Sequence, residues 1–411
     1  MMVFSKLSIS LKRAVQEAGF TTPTPIQEKV MPLIMTGKDV MAQAQTGSGK
    51  SAAFVLPILA HLEANPQEGK AKIRVLVLAP TRELTQQVAE DFVRFGAFLE
   101  KKPKVVSVIG GEGIGQQLFD IQQGCDVVVA TSGRLLDVIS KKQMNLSKLA
   151  FFVLDEADKM LDLGFEKELA LILEEIPATR QNLLFSATYP EKMLGIAKKI
   201  TQAPIMIGVE AEQTTVTSIK QRVIEVNREN RGPLLRVLLK KHKWKSVLVF
   251  MANKRATDNI AQKFHKRGYQ AESFHGDLSQ EDRTFTLQAF KDKKLQILFC
   301  TDIAARGLHI EDVDCVINYD LPRSPTDYVH RIGRTGRAGK EGMAVSFIDF
   351  ADMAHFKLIE KRAEVSLERE SVEGFTLSGE APMPEKGKAP VKGKRKSKKD
   401  KLREAANNSI S

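Results

Sequence analysis

A chain of 411 residues, 43% of them hydrophobic, is long enough for two domains with packed cores. Its net charge of +12, from 62 basic and 50 acidic residues, favours polyanionic partners without specifying a fold. Three cysteines with no CxxC spacing argue against a disulfide framework or a zinc site, and no apolar run approaches the roughly 18 residues of a membrane span, so disulfide scaffolds and membrane-embedded functions are set aside.

The first residues, Met-Met-Val-Phe-Ser-Lys-Leu, lack the apolar core of a signal peptide. With Cys125 and Cys300 in or beside apolar runs, this predicts a cytoplasmic protein with buried, reduced thiols. Gly19-Phe20-Thr21-Thr22-Pro23-Thr24-Pro25-Ile26-Gln27 follows, a loop stiffened by two prolines whose Gln27 amide can pair with an adenine edge. A strand over Asp39–Gln43 leads into Ala44-Gln45-Thr46-Gly47-Ser48-Gly49-Lys50-Ser51. Such a small-residue loop can wrap a triphosphate with backbone N–H groups, while the lysine adds charge and the serine hydroxyl can ligate Mg²⁺. Ala44 stands where the pattern usually opens with Gly.

Further strands are expected at Ile73–Ala79, Val105–Ile109, Asp126–Ala130, Phe151–Leu154, Asn182–Ser186 and Ile205–Val209, with helical patterns such as Glu83–Leu99 and Glu166–Glu175 between them. Several of these strands are apolar throughout, as strands covered on both faces are, and their alternation with helices predicts a doubly wound α/β domain. Open sheets of this kind place ligands at the carboxyl ends of their strands. Pro80-Thr81-Arg82, Gly110-Gly111 and Thr131-Ser132-Gly133-Arg134 all lie at such ends. Their glycines allow close backbone approach, and their hydroxyl and guanidinium groups suit a phosphate backbone. The end of Phe151–Leu154 carries Asp155-Glu156-Ala157-Asp158, acids that can hold Mg²⁺ and position a water. Ser186-Ala187-Thr188 follows the next strand.

Glu210–Lys220 is less apolar and reads as a linker. The alternation then restarts with Ser246–Phe250, Ala271–Phe274, Gln296–Thr301, Cys315–Asn318 and Ala344–Ile348, which predicts a second α/β domain and a cleft between the two. In His330-Arg331-Ile332-Gly333-Arg334-Thr335-Gly336-Arg337, Arg334 and Arg337 are three apart and share a face on a helical turn. Two guanidiniums aimed at a γ-phosphate would stabilise transition-state charge. After about Ser366 the pattern fades. Residues 385–411 hold ten basic and three acidic residues, +7 of the whole +12, and no aromatic one. That segment reads either as a non-specific tether for a polyanion such as nucleic acid or as a solvated tail.

Taken together, the ordered set Gly19–Gln27, Ala44–Ser51, Pro80–Leu84, Gly110-Gly111, Thr131–Arg134, Asp155–Asp158, Ser186–Thr188, His275–Gln280, Thr301–Ile310 and His330–Arg337 resembles the DEAD-box ATP-dependent RNA helicases. The likeness covers about residues 4–350 and extends to Phe4, similar to an isolated aromatic upstream of that family's glutamine motif. It implies an α/β fold of two tandem RecA-like domains with largely parallel sheets that close on ATP and RNA. The boundaries are then 1–28 for the glutamine-motif region, 29–209 for the ATP-binding domain, 210–220 for the linker, 221–366 for the C-terminal domain and 367–411 for a disordered basic tail.

By this resemblance Phe20 stacks on adenine, Gln27 reads it, and Ala44, Gln45, Thr46, Gly47, Ser48, Gly49, Lys50 and Ser51 hold the phosphates, with Ser51 and Asp155 at Mg²⁺. Glu156 is the implied base. Asp158, Ser186, Thr188 and His330 couple hydrolysis to RNA, while Arg334 and Arg337 reach the γ-phosphate. Pro80, Thr81, Arg82, Gly110, Gly111, Thr131, Arg134, Gly276 and Thr301 are the implied RNA grip. Four departures stand out. Ser51 replaces a commoner Thr and Thr85 a common Ala; Ser132 replaces a frequent Pro, which would loosen its turn; His309 replaces an Asp that binds ribose. The implied function is RNA-stimulated ATP hydrolysis that unwinds or remodels short duplexes and ribonucleoproteins, with RNA told from DNA by its 2′-OH. The alternative is an ATP-gated RNA clamp with little unwinding.

Overall fold

The computed structural model describes residues 2–44, 48–208, 219–305, 310, 313–336 and 341–379. Among them, seven strands form the first sheet: β1 (Val40–Gln43), β2 (Val75–Leu78), β3 (Val105–Val108), β4 (Val127–Ala130), β5 (Phe151–Leu154), β6 (Gln181–Ser186) and β7 (Ile205–Gly208). All pair in parallel, in the order β3-β4-β2-β5-β6-β1-β7. The apolar runs of β2, β4 and β5 are buried at every position because helices cover both faces. One face packs Phe54, Leu56, Phe92 and Phe95, and the other packs Leu135, Met160, Ile172 and Met193. Val3, Phe4, Leu7, Ile26 and Val30 belong to the first of these layers, so the glutamine-motif region is part of this lobe.

The second sheet comprises β8 (Ile219–Glu225), β9 (Val247–Met251), β10 (Ala271–Phe274), β11 (Ile297–Thr301), β12 (Cys315–Asn318), β13 (Gly342–Ile348) and β14 (Arg369–Glu370). It too is parallel, in the order β10-β11-β9-β12-β13-β8-β14. Two expectations are corrected here. Ile219 and Lys220, read as linker, open β8, because Ile219, Val223 and Ile224 are buried against β13 although polar residues separate them. Residues 367–379, assigned to the tail, form a strap on the second lobe. β14 pairs with β8, Arg222 makes a two-pronged contact with Glu370 (2.6–3.1 Å), and Val372 and Phe375 pack on the core. Arg369 bonds both Glu360 carboxylate oxygens (2.8 and 2.7 Å), and Asn227 exchanges hydrogen bonds with the backbone of Ser378 (2.8 and 3.0 Å). The linker residues 210–218 and the segment 380–411 lie outside the described residues.

All three thiols are buried, and burial pushes Cys125 up to about 12 and Cys300 and Cys315 far above the ordinary thiol range, which leaves them unreactive. Among the described residues no helix is long and apolar enough to cross a membrane.

Candidate functional site

The phosphate loop joins β1 to the helix Lys50–Ala64. Gly49 caps that helix in a left-handed conformation (φ 86°), and a Cβ there would lie 2.6 Å from Gln27 Nε2, so the position admits only glycine without strain. Gln27 is buried with both ends of its amide engaged: Nε2 donates to the Gly49 carbonyl (3.2 Å) and Oε1 accepts from Thr24 N–H (2.9 Å). Among the described residues one N–H and one lone pair stay open to a base edge, and Gln27 thereby holds the loop as well. Phe20 is half-buried with its ring tilted on Phe95 at 5.9 Å. Ala44 is buried and its N–H donates to the Ser186 carbonyl (3.0 Å), which continues the β1–β6 pairing into the loop. Ser48 and Ser51 are partly exposed, while Gln45, Thr46 and Gly47 lie outside the described residues.

Lys50 is 6% exposed, and its ammonium has no hydrogen-bond partner among the described residues. Its charge acts on Asp155, at the end of β5. Asp155 is buried and its carboxyl is pushed up to about 6, first by burial and then by Glu156 and Asp158, with Lys50 opposing. A buried cation beside a buried acid suits a phosphate on the one and a dication on the other. Both groups fit MgATP. Glu156 adopts a left-handed backbone (φ 49°, ψ 50°), and its N–H donates to Asp155 Oδ1 (2.9 Å). Strain of this kind in a non-glycine residue gathers at functional sites.

In the sheet β6 lies between β5 and β1, so its end links the acids to the phosphate loop. Ser186 Oγ accepts from Asp158 N–H (3.2 Å) and donates to the Thr188 carbonyl (2.7 Å), while Thr188 Oγ1 donates to Asp158 Oδ2 (3.1 Å). Asp158, Ser186 and Thr188 therefore form one closed network. From the second lobe, Asp327 meets Lys159 at 3.7 Å, and His330 lies close enough to Lys159 and Asp158 to feel both charges. Packing around His330, followed by the Lys159 ammonium, pushes the imidazole down to about 4. Arg334 is buried two residues from the core residue Ile332, and its charge acts on His330. Arg331 is committed elsewhere, bonding Asp302, Asn318 and the Asp320 carbonyl (2.6–3.0 Å) within the second lobe. Arg337 and His309 lie outside the described residues.

The expected RNA grip begins at Pro80 and Thr81. Thr81 caps the helix Arg82–Gly96 by accepting from Leu84 N–H (3.3 Å), and Thr85 donates back to the Thr81 carbonyl (2.9 Å), so the departure at Thr85 adds a bond to this turn. Arg82 lies on Gly111: a Cβ at that residue (φ 82°) would sit 2.1 Å from Arg82 Nη1, and one at Gly110 3.8 Å from Nη2. Arg134 donates to the Glu112 carbonyl (3.1 Å) and to Gln117 (3.4 Å). The turn at Ser132 is pinned on both sides, by Thr131 N–H to the Val108 carbonyl and Leu135 N–H to the Thr131 carbonyl, each 3.0 Å. In the second lobe Gly276 is exposed with nothing near its Cβ position, and Thr301 is buried at the end of β11.

Sequence reasoning missed Arg283. Its Nε donates to Glu83 Oε1 (2.6 Å) across the lobes with both side chains buried, and Nη1 donates to the His275 carbonyl (3.1 Å). Gln280 also bridges the lobes, contacting Arg82 and Gln86 at 3.4 Å. The signal available was the helix Gln280–Lys291, which brings Gln280 and Arg283 to one face, but the partner at Glu83 is 200 residues away.

The DEAD/DEAH box helicase family model matches residues 24–195, and the helicase conserved C-terminal domain model matches residues 230–339. A DEAD-box ATP-dependent RNA helicase CshA of Geobacillus kaustophilus is 41% identical over 336 residues, which is 81% of this chain and 71% of that protein. An ATP-dependent RNA helicase CshA of Listeria monocytogenes is 40% identical over 363 residues, 88% of this chain and 69% of that one. Among solved structures, S. cerevisiae Dbp5 bound to RNA and ADP BeF3 superposes with a TM-score of 0.78 at 31% identity, covering 89% of this chain and 94% of that one. Mss116p bound to ssRNA and AMP-PNP gives 0.79 at 27% identity, covering 89% and 78%.

Proposed function

The chain belongs to the DEAD-box ATP-dependent RNA helicase family, and on that footing we propose that it couples ATP hydrolysis to local strand separation by closing its two lobes on one RNA strand. The observation that carries this reading is the buried, unpartnered Lys50 ammonium beside the buried Asp155, at strand ends linked by the Ser186–Thr188–Asp158 network. Lys50 and the loop N–H groups hold the β- and γ-phosphates, and Gln27 and Phe20 hold the base. Ser51 and Asp155 hold Mg²⁺, which supplies charge neutralisation on the phosphates. Glu156 takes the proton of the attacking water; its left-handed backbone turns it away from the strand. Arg334 and Arg337 complete the pocket from the second lobe.

RNA is gripped by its backbone through Pro80–Arg82, Gly110, Gly111, Thr131 and Arg134 on one lobe and Gly276 and Thr301 on the other, so base sequence matters little. Structured or duplex RNA is the substrate class, free or within ribonucleoproteins, and the enzyme is cytoplasmic. The buried ion pair Glu83–Arg283 and the Arg82–Gln280 contact support lobe closure that is sensed by the RNA-facing Arg82.

The test is steady-state ATPase with and without RNA. Glu156→Gln is expected to lower kcat roughly 10²–10⁴-fold, as loss of a general base does, while MgATP still binds. A variant that hydrolyses ATP at the parental rate removes Glu156 from the mechanism. Prolonged RNA retention without strand release would replace unwinding by the clamp.

A further inference from the structure

The carboxyl ends of the first sheet account for the cleft, but the opposite end carries a feature that the cleft chemistry does not use. Lys70 and Lys72, ahead of β2, and Lys101, Lys102 and Lys104, ahead of β3, are all exposed. The backbones of Lys72 and Lys104 are fixed by polar side chains. Lys104 N–H donates to Asp126 Oδ2 (3.0 Å), and Arg74 Nη2 takes the other oxygen (2.8 Å). Lys72 exchanges two bonds with the Gln67 side chain (2.9 and 3.0 Å), and Lys101 Nζ donates to the Gln67 carbonyl. Gly124, in the turn ahead of β4, lets the first loop pack closely, for a Cβ there would fall 2.7 Å from the Ala71 carbonyl oxygen and 2.8 Å from Lys70 Cγ. Against the five lysines stand the exposed Glu68 and Glu100. Asp126 is neutralised by Arg74. Since +7 of the net +12 lies in residues 385–411, this platform holds a large part of the excess in the folded body.

Its place in the sheet names the partner. β3 is an edge strand; Lys104 precedes it directly, and Gly110-Gly111 follow it. At about 3.3 Å per residue, the lysines and the glycines are about 20 Å apart along one exposed edge. We propose that the platform is a second RNA contact, holding phosphates of a duplex that flanks the strand gripped in the cleft. Flexible point charges with no neighbouring hydrogen-bond code suit phosphate contact without sequence choice. The proposal rests on the RNA-remodelling reading above.

The experiment uses the full chain and two RNAs: a single strand no longer than the cleft, and the same strand extended by a hairpin stem. One variant combines Lys70→Gln, Lys72→Gln, Lys101→Gln, Lys102→Gln and Lys104→Gln. A charge-matched control places five such changes at Lys240, Lys241, Lys263, Lys266 and Lys293 on the second lobe. The platform variant should keep the parental half-saturating concentration of the single strand and raise that of the stem-bearing RNA about tenfold. Its log K against log salt slope for that RNA should flatten by about 2, as expected from losing two or three duplex phosphates at roughly 0.9 each. Equal effects in the control, or none in the platform variant, overturn the proposal. If neither RNA stimulates hydrolysis in the unsubstituted chain, the helicase reading falls with it. If both stimulate and the platform variant matches the parent, only the platform is lost.

Discussion

At the scale of single residues the site is built from groups held in costly states. Lys50 has no hydrogen-bond partner among the described residues, Asp155 resists ionisation, Glu156 takes a left-handed backbone and His330 is kept neutral. His330 yields a pH prediction. Its pKa is lowered to about 4 by burial and then by Lys159 of the first lobe, and lobe separation removes Lys159 and solvates the ring, so the separated lobes bind more protons as pH falls below the ordinary imidazole value. Closure is therefore undiminished above about pH 6.5 and weakens as pH falls towards 4. The half-saturating RNA concentration should rise between pH 7 and 5, and in His330→Asn that rise should be smaller. Which residues would lie at the site was legible, because the motifs fall at strand ends and each residue type fits one task. What each arginine of His330–Arg337 does was not. Arg331 and Arg334 look alike in sequence, and only the positions of Asp302 and Asn318 show that Arg331 is structural.

At the scale of elements, twelve of the fourteen strands among the described residues were readable within a residue or two, most plainly β2, β4, β5, β9, β11 and β12, where burial on both faces demands unbroken apolar runs. The two that were missed lie together at one side of the second sheet. β8 mixes Lys220, Gln221 and Arg222 with its buried residues, and β14 is two charged residues long. Their pairing is held by a partner far away in sequence, Glu370 for Arg222, and Arg369 is fixed in turn by Glu360 of the preceding helix. Removal of residues 366–411 should destabilise the second lobe by about 2–4 kcal/mol, because Leu367, Val372 and Phe375 each give up part of a buried apolar side chain. Thermal unfolding should show a lower Tm for that truncation and an unchanged one for a chain ending at Gly379. If the two behave alike, the strap contributes nothing.

At the scale of the whole molecule, the alternation of strand and helix disclosed two α/β lobes, but not the contacts that join them. Glu83–Arg283, Arg82–Gln280 and Lys159–Asp327 each pair residues from different halves of the chain, and no local pattern couples such positions. Deleting one member of a buried ion pair costs about 3 kcal/mol or more, so Arg283→Ala should disfavour closure by roughly 10²-fold. RNA-stimulated ATPase should fall accordingly while nucleotide binding to the first lobe holds, as read by equilibrium titration. The exchange Glu83→Arg with Arg283→Glu should recover part of the loss; no recovery would mean that the pair does not act through its mutual attraction.

The strap has one more consequence. Glu370 holds Arg222, Arg222 meets His242 at 3.3 Å, and His242 is stacked face to face on Trp244 at 4.5 Å. Trp244 is the sole tryptophan of the chain. Its fluorescence is thus an intrinsic gauge of whether the last strand is docked, legible in the unlabelled protein at every stage of a turnover.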